Sequence, residues 1–303
     1  MGIQVVSAFG IKGGAGKSTL SLALAASIKR LKPKAKVGLV DMTTEQGTLS
    51  TRFGPEMEAK GLGWWGIVRA LLDEALQEEN PNAVAEAINR AVIPLMVIPD
   101  AAKEELGIIE FIGCGKRHLR IYESAAEVAG PEGFRTASRV LTELERHRGW
   151  EYAVVDLPPS TKEVGSRMIL PCAAAVAVVA SATHEDDHSG YPAFLENLKA
   201  MDITPVGFLV NRIEDDSSSR DAVAALDQIA KAKKIPVLGH IKQRSTIKRS
   251  RETAPFDGVL AKTRTGLYWA AANDRSTRAT RAVAERSIEE IEAVTRKVLE
   301  AIQ

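Results

Sequence analysis

A doubly wound, mostly parallel α/β sheet flanked by helices is the fold this 303-residue sequence predicts, on three observations. Short apolar runs alternate with helical patterns along the chain, the arrangement of a parallel sheet wrapped by helices. Those runs are nearly continuous in Val, Ile, Leu and Ala, as strands buried on both faces must be. The first run ends in a glycine-rich loop that opens a helix, and sheets of this kind bind ligands beyond the carboxyl ends of their strands.

In chain order, Gln4–Phe9 is the first strand, and a helical pattern follows from Lys17 to about Arg30. Val37–Asp41 is the second strand, and Leu95–Ile98 and Leu119–Tyr122 are the next two expected. Tyr152–Asp156, Ala174–Ala180, Val206–Asn211 and Val237–Ile241 complete the set. Helical stretches are expected at Phe134–Arg148, Ala193–Ala200, Arg220–Lys233 and Ala284–Ile302. Residues 1–303 read as one domain with a helical insertion at about 53–148. Trp64 and Trp65, inside that interval, read as packing anchors with no chemistry of their own.

The loop Lys12-Gly13-Gly14-Ala15-Gly16-Lys17-Ser18-Thr19 carries the first chemical signal. Glycines let backbone N–H groups converge on phosphate oxygens, and the helix N-terminus adds a favourable dipole. Lys17 supplies a mobile positive charge, and the Ser18 hydroxyl can ligate Mg²⁺. A dinucleotide fingerprint starting at Gly14 fails at its third glycine, which is Thr19. The second signal is Tyr152–Asp156, an apolar strand ending in a carboxylate able to hold Mg²⁺, followed by Leu157-Pro158-Pro159. An ordinary Asp-Pro turn is the plainer alternative there.

The loop departs from the common phosphate-binding pattern, with Ile11 at the first glycine position and a second lysine at Lys12. In this it resembles the ParA/MinD family of partitioning and positioning ATPases, P-loop NTPases of the deviant Walker A class. The resemblance implies ATP and Mg²⁺ bound by Lys12, Gly13, Gly14, Ala15, Gly16, Lys17, Ser18 and Thr19, with Ser18, Asp41 and Asp156 serving the metal. It implies a homodimer formed with ATP, in which Lys12 crosses to the partner's phosphates. A residue delivered in that way resembles an arginine finger, worth about 10³–10⁵ in rate. Asp41-Met42-Thr43-Thr44-Glu45-Gln46-Gly47 is similar to the family's first switch, but Thr43 stands where the family places the aspartate that activates water. Asp41 or Glu45 then substitutes as the catalytic carboxylate, or turnover is slow. Asn211, with Arg212 beside it, falls where relatives place the asparagine that reads adenine.

Composition sets limits without naming a function. Forty basic and thirty-nine acidic residues leave a formal charge of +1, so whole-chain charge selects no partner. Cys114 and Cys172 are far apart and form no disulfide framework or C-x-x-C pair, which suits a reducing cytosol. No apolar run approaches the ~20 residues of a membrane span, and no secretory signal precedes the first strand.

Charge is nonetheless unevenly placed: between Lys231 and Arg251 there are eight lysines and arginines and no acid. Lys242, Arg244, Lys248, Arg249 and Arg251 are the candidate contacts to nonspecific DNA. By resemblance the protein is cytoplasmic and nucleoid-associated, with a ParB-like activating partner. A MinD-like membrane role is disfavoured, because Glu289, Glu290 and Glu292 flank the apolar face of the final helix. His184, Glu185, Asp186, Asp187 and His188 read as a loop and helix start, since their spacing matches no zinc pattern. A small-molecule biosynthetic P-loop enzyme and a non-hydrolysing ATP switch are the alternative functions.

Overall fold

Among the described residues, ten strands make one sheet: β1 (Gln4–Phe9), β2 (Val37–Asp41), β3 (Val92–Met96), β4 (Ile108–Ile112), β5 (Tyr152–Asp156), β6 (Ala175–Ser181), β7 (Gly207–Ile213), β8 (Val237–Lys242), β9 (Thr253–Phe256) and β10 (Val259–Thr265). The computed structural model describes residues 2–43, 49–98, 107–115, 133–183, 188–243, 253–256, 259–265 and 278–303. The strand order is β8-β7-β6-β1-β5-β2-β4-β3-β10-β9. From β8 to β4 every neighbouring pair is parallel. β3 then runs antiparallel to β4, β10 parallel to β3, and β9 antiparallel to β10. β1 sits between β5 and β6, so the chain winds outward from it on both sides, and the crevice at its carboxyl end is where such a sheet takes a ligand.

The helices are α1 (Lys17–Leu31), α2 (Ser50–Phe53), α3 (Pro55–Lys60), α4 (Trp64–Leu72), α5 (Glu74–Glu79), α6 (Ala83–Ala91), α7 (Gly133–Arg148), α8 (Val164–Ile169), α9 (Tyr191–Ala200), α10 (Ser217–Ala232) and α11 (Arg278–Ala301). Alternation along the strands splits the core into two layers. Val6 and Ala8 of β1 pack with Leu20, Leu24 and Ile28 of α1 and with Ile291, Val294 and Val298 of α11. Val5 and Phe9 point the other way, into a layer built by α4, α6, α7, α8, α9 and α10. Trp64 and Trp65 are fully buried in that second layer, as expected of packing anchors. Their N–H groups at the start of α4 donate to Gly113 O and Cys114 O at 2.9 and 3.1 Å, so backbone from beyond β4 caps this helix.

Most expected strands lie within a residue or two of their places. The exceptions have physical causes. β3 begins three residues before the expected Leu95–Ile98 and carries Pro94, which sits opposite Glu110 and cannot donate to the ladder. β4 is not anticipated above. Its central Glu110 would be costly inside an apolar strand, but Arg148 Nε donates to Glu110 Oε2 at 3.1 Å, Arg148 Nη2 bonds Oε1, and Trp150 Nε1 donates to Oε2 at 2.5 Å. Trp150 is itself accommodated by Gly38, where a Cβ would stand 2.2 Å from the indole ring. β9 and β10 are likewise unanticipated. The interval 53–148 holds α3 to α7 together with β3 and β4. Leu119–Tyr122 and 184–187 lie outside the described residues.

At the other border, α11 packs along β8. Lys297 Nζ donates to Leu238 O at 2.7 Å and to Val237 O at 3.5 Å, while Glu290 Oε2 accepts from Lys242 N at 3.4 Å. No helix among the described residues is long and apolar enough to cross a membrane.

Candidate nucleotide-binding site

The glycine-rich loop connects β1 to α1 at the centre of the sheet, held by close approach on several sides. Gly10 runs so near β6 that a Cβ would stand 2.2 Å from Val179 O. Gly14 and Gly16 adopt φ of 81° and 88°, the left-handed region that suits glycine. Gly16 also serves as the N-cap of α1, and a Cβ there would collide with the Asn211 amide at 2.3 Å. The loop lysine, Lys17, is buried and donates to Lys12 O at 2.6 Å. Burial lowers its pKa from the ordinary lysine value, and the charges of Asp156 and Glu163 oppose that shift. Lys12 is partly exposed.

Two carboxylates close the floor. Asp41 and Asp156 end the neighbouring parallel strands β2 and β5 in direct register, and both are fully buried. Their surroundings differ. Asp41 Oδ1 accepts Thr43 N at 2.9 Å and the Thr43 hydroxyl, and its Oδ2 accepts Ser50 N at 2.8 Å and Ser50 Oγ at 2.7 Å. All its acceptor directions are filled, so here the carboxylate anchors the chain after β2. Ser50 Oγ in turn accepts Cys114 N at 2.9 Å, tying the start of α2 to the chain just after β4. Asp156 Oδ1 accepts Ser21 Oγ at 3.2 Å, while its Oδ2 is buried with no hydrogen-bond partner. Burial first, and the charge of Asp41 second, push the Asp156 carboxyl up to about 7, against the pull of Ser18, Lys17 and Ser21.

That orphaned oxygen beside the Ser18 hydroxyl has the chemistry of a Mg²⁺ site: hard oxygen donors at the mouth of a phosphate loop, with an unmet need for positive charge. Among the described residues no group of three or more His, Cys, Asp or Glu side chains could hold a metal ion.

The far wall comes from β7. Asn211, buried, donates through Nδ2 to Ala15 O at 2.8 Å, and Arg212 Nη1 donates to Gly14 O at 3.0 Å. The sequence thus brings Lys12–Thr19, Asp41, Asp156, Asn211 and Arg212 to one crevice, from strands far apart in the chain. Glu45, Arg244, Lys248, Arg249 and Arg251 lie outside the described residues. Lys242 is described at the end of β8, where Nζ donates to Asp215 Oδ1 at 2.6 Å. Ser50 and Ser21 were missed by sequence reasoning. Ser50 begins a helix nine residues beyond Asp41, and only an aspartate-to-serine pairing over that separation could have flagged it.

The profile of the CobQ/CobB/MinD/ParA nucleotide binding domain matches residues 6–255. No curated protein matches the sequence. Solved structures agree in fold. A Borrelia burgdorferi B31 protein bound to AMPPNP and described as a plasmid partition protein superposes with a TM-score of 0.63 at 18% identity, covering 99% of each chain. Apo McdA of Cyanothece gives 0.63 at 16% identity, covering 98% of this chain and 99% of its own. The MinC:MinD cell division complex of Aquifex aeolicus gives 0.58 at 16% identity, covering 98% of this chain and 96% of the other.

Proposed function

The chain belongs to the CobQ/CobB/MinD/ParA nucleotide-binding family, and from that membership we propose that it is a ParA-type ATPase switch. It dimerises with ATP, holds nonspecific DNA in that state, and releases it after hydrolysis, so as to partition DNA or position a cargo. The observation that carries this reading is the pair of lysines: Lys17 is buried and folded onto Lys12 O, whereas Lys12 is partly exposed. On this reading Lys17 grips its own subunit's triphosphate, and Lys12 reaches a second subunit's. Each ATP then offers contacts found only in the dimer, and the population shifts toward it.

Ser18 and Asp156 are the residues that would hold Mg²⁺, which when bound neutralises charge on the phosphates. Asn211, held against the loop through Ala15 O, would be the residue that reads adenine. Lys242 begins the proposed DNA surface, and a ParB-like partner would stimulate turnover. A slow ATP switch is the second reading, favoured by Thr43, whose hydroxyl bonds Asp41 and which supplies no carboxylate for water activation.

Sizing chromatography without ligand, with Mg-ADP and with Mg-ATP, repeated with unrelated duplex DNA at two salt concentrations, tests the cycle. Wild type should run as a dimer only with Mg-ATP, and its DNA binding should weaken steeply with salt. Lys17→Ala should lose nucleotide binding, while Lys12→Ala should bind nucleotide and stay monomeric with dimer-dependent turnover gone. Equal behaviour of the two variants contradicts the assigned roles.

A further inference from the structure

Consecutive side chains in a strand point to opposite faces, yet Asn211 and Arg212 both reach the phosphate loop. The cause is a β-bulge. Val210 pairs with His240 and Ile213 with Lys242, so β7 advances three residues while β8 advances two. Arg212 takes up the extra residue with φ of 59°, a left-handed conformation uncommon for arginine. The two side chains therefore hold successive carbonyls, Gly14 O and Ala15 O. In a trans peptide the C=O and the following N–H point in opposite directions, so the Ala15 and Gly16 N–H groups are turned away from β7. Packing does not fix the first of these peptides, because a Cβ on Gly14 would meet nothing within 4 Å. The guanidinium is itself held, since Arg212 Nε donates to Gln243 Oε1 at 3.1 Å and Gln243 Nε2 donates to Glu214 Oε1 at 2.6 Å.

We propose that Arg212 is a positioning residue that presets the phosphate loop, orienting the Gly14–Ala15 peptide before nucleotide arrives. This rests on the reading of the crevice as a nucleotide site. Its planar fork bonds Gly14 O and Gln243 at once, which a lysine ammonium on a flexible stem cannot reproduce in that geometry. Loss of the preset orientation leaves each anion to order the loop on binding, and affinity falls.

The chain contains a single Gly-Ala dipeptide, Gly14-Ala15, so labelling glycine carbonyls with ¹³C and alanine amides with ¹⁵N isolates one peptide signal. In nucleotide-free Arg212→Gly, folded as judged by circular dichroism, the Gly14 carbonyl resonance should move upfield as its hydrogen bond is lost. ATP and inorganic pyrophosphate should each bind about tenfold more weakly, the worth of one charge-assisted hydrogen bond. Arg212→Lys should not rescue either readout, and Gln243→Ala, which removes the second anchor, should lose about threefold. An unmoved Gly14 signal, wild-type affinities in Arg212→Gly, or full rescue by Arg212→Lys overturns the proposal. If Arg212→Gly does not fold, wild-type behaviour of Gln243→Ala in both readouts overturns it. Should the wild-type protein bind neither ATP nor pyrophosphate, the nucleotide reading falls, and the carbonyl signal still decides the role of Arg212.

Discussion

Asp156 shows how one carboxylate can oppose folding while serving a site. Its proton leaves at about 7 in the folded protein, against an ordinary value near 3.8. Between those two values the folded state keeps a proton that the unfolded chain has released. Stability contributed by this group therefore declines as pH rises through the window, and stays lost above it. Asp156→Asn never bears that charge. The variant should melt a few degrees above wild type at about pH 8 and close to it at about pH 4, in nucleotide-free thermal scans. The same change should weaken Mg²⁺-dependent ATP binding by about tenfold or more, because a carboxamide is a poor magnesium ligand. Equal melting temperatures at both pH values would remove the argument. Asp41, one strand over, reads identically in sequence, an aspartate ending an apolar run. The donors from Thr43 and Ser50 separate the two, and Ser50 lies nine residues on, where no local pattern flags it.

Elements were legible wherever local pattern and burial agree. β1, β2 and β5 fall where nearly continuous apolar runs place them, since both faces are covered and only the small, buried Ser7 of β1 interrupts a run. β4 was illegible because Glu110 is made tolerable by Arg148 and Trp150, thirty-eight and forty residues away. The β7 bulge was illegible too: Asn211 and Arg212 could be named as candidates, but their common direction comes from register against β8. β2 offers a test at this scale. A methyl group on Gly38 would lie 2.2 Å from the Trp150 ring, whereas one on Gly13 would meet nothing within 4 Å. Gly38→Ala should cost about 1–3 kcal/mol by overpacking, read as a lower denaturant midpoint at unchanged slope. Gly13→Ala should change stability, read the same way, by less than about 0.5 kcal/mol. A neutral Gly38→Ala would mean that Trp150 can repack at no expense.

At the scale of the molecule, the nucleotide crevice is fed by both core layers, since β1 contributes Val6 and Ala8 to one and Val5 and Phe9 to the other. Mg-ATP at a thousandfold over its dissociation constant should add about 4 kcal/mol to the stability of the fold. Calorimetry should record one transition displaced upward as a whole, and Lys17→Ala should abolish the displacement. Two transitions of which only one moves would show the layers to be independent. The border strand β8 has a further consequence. Three of its backbone groups already hold charged side chains from α11, Lys297 on two carbonyls and Glu290 on one amide. An open sheet margin risks stacking edge to edge into insoluble ribbons, and here its backbone groups are engaged in advance by the molecule's own last helix.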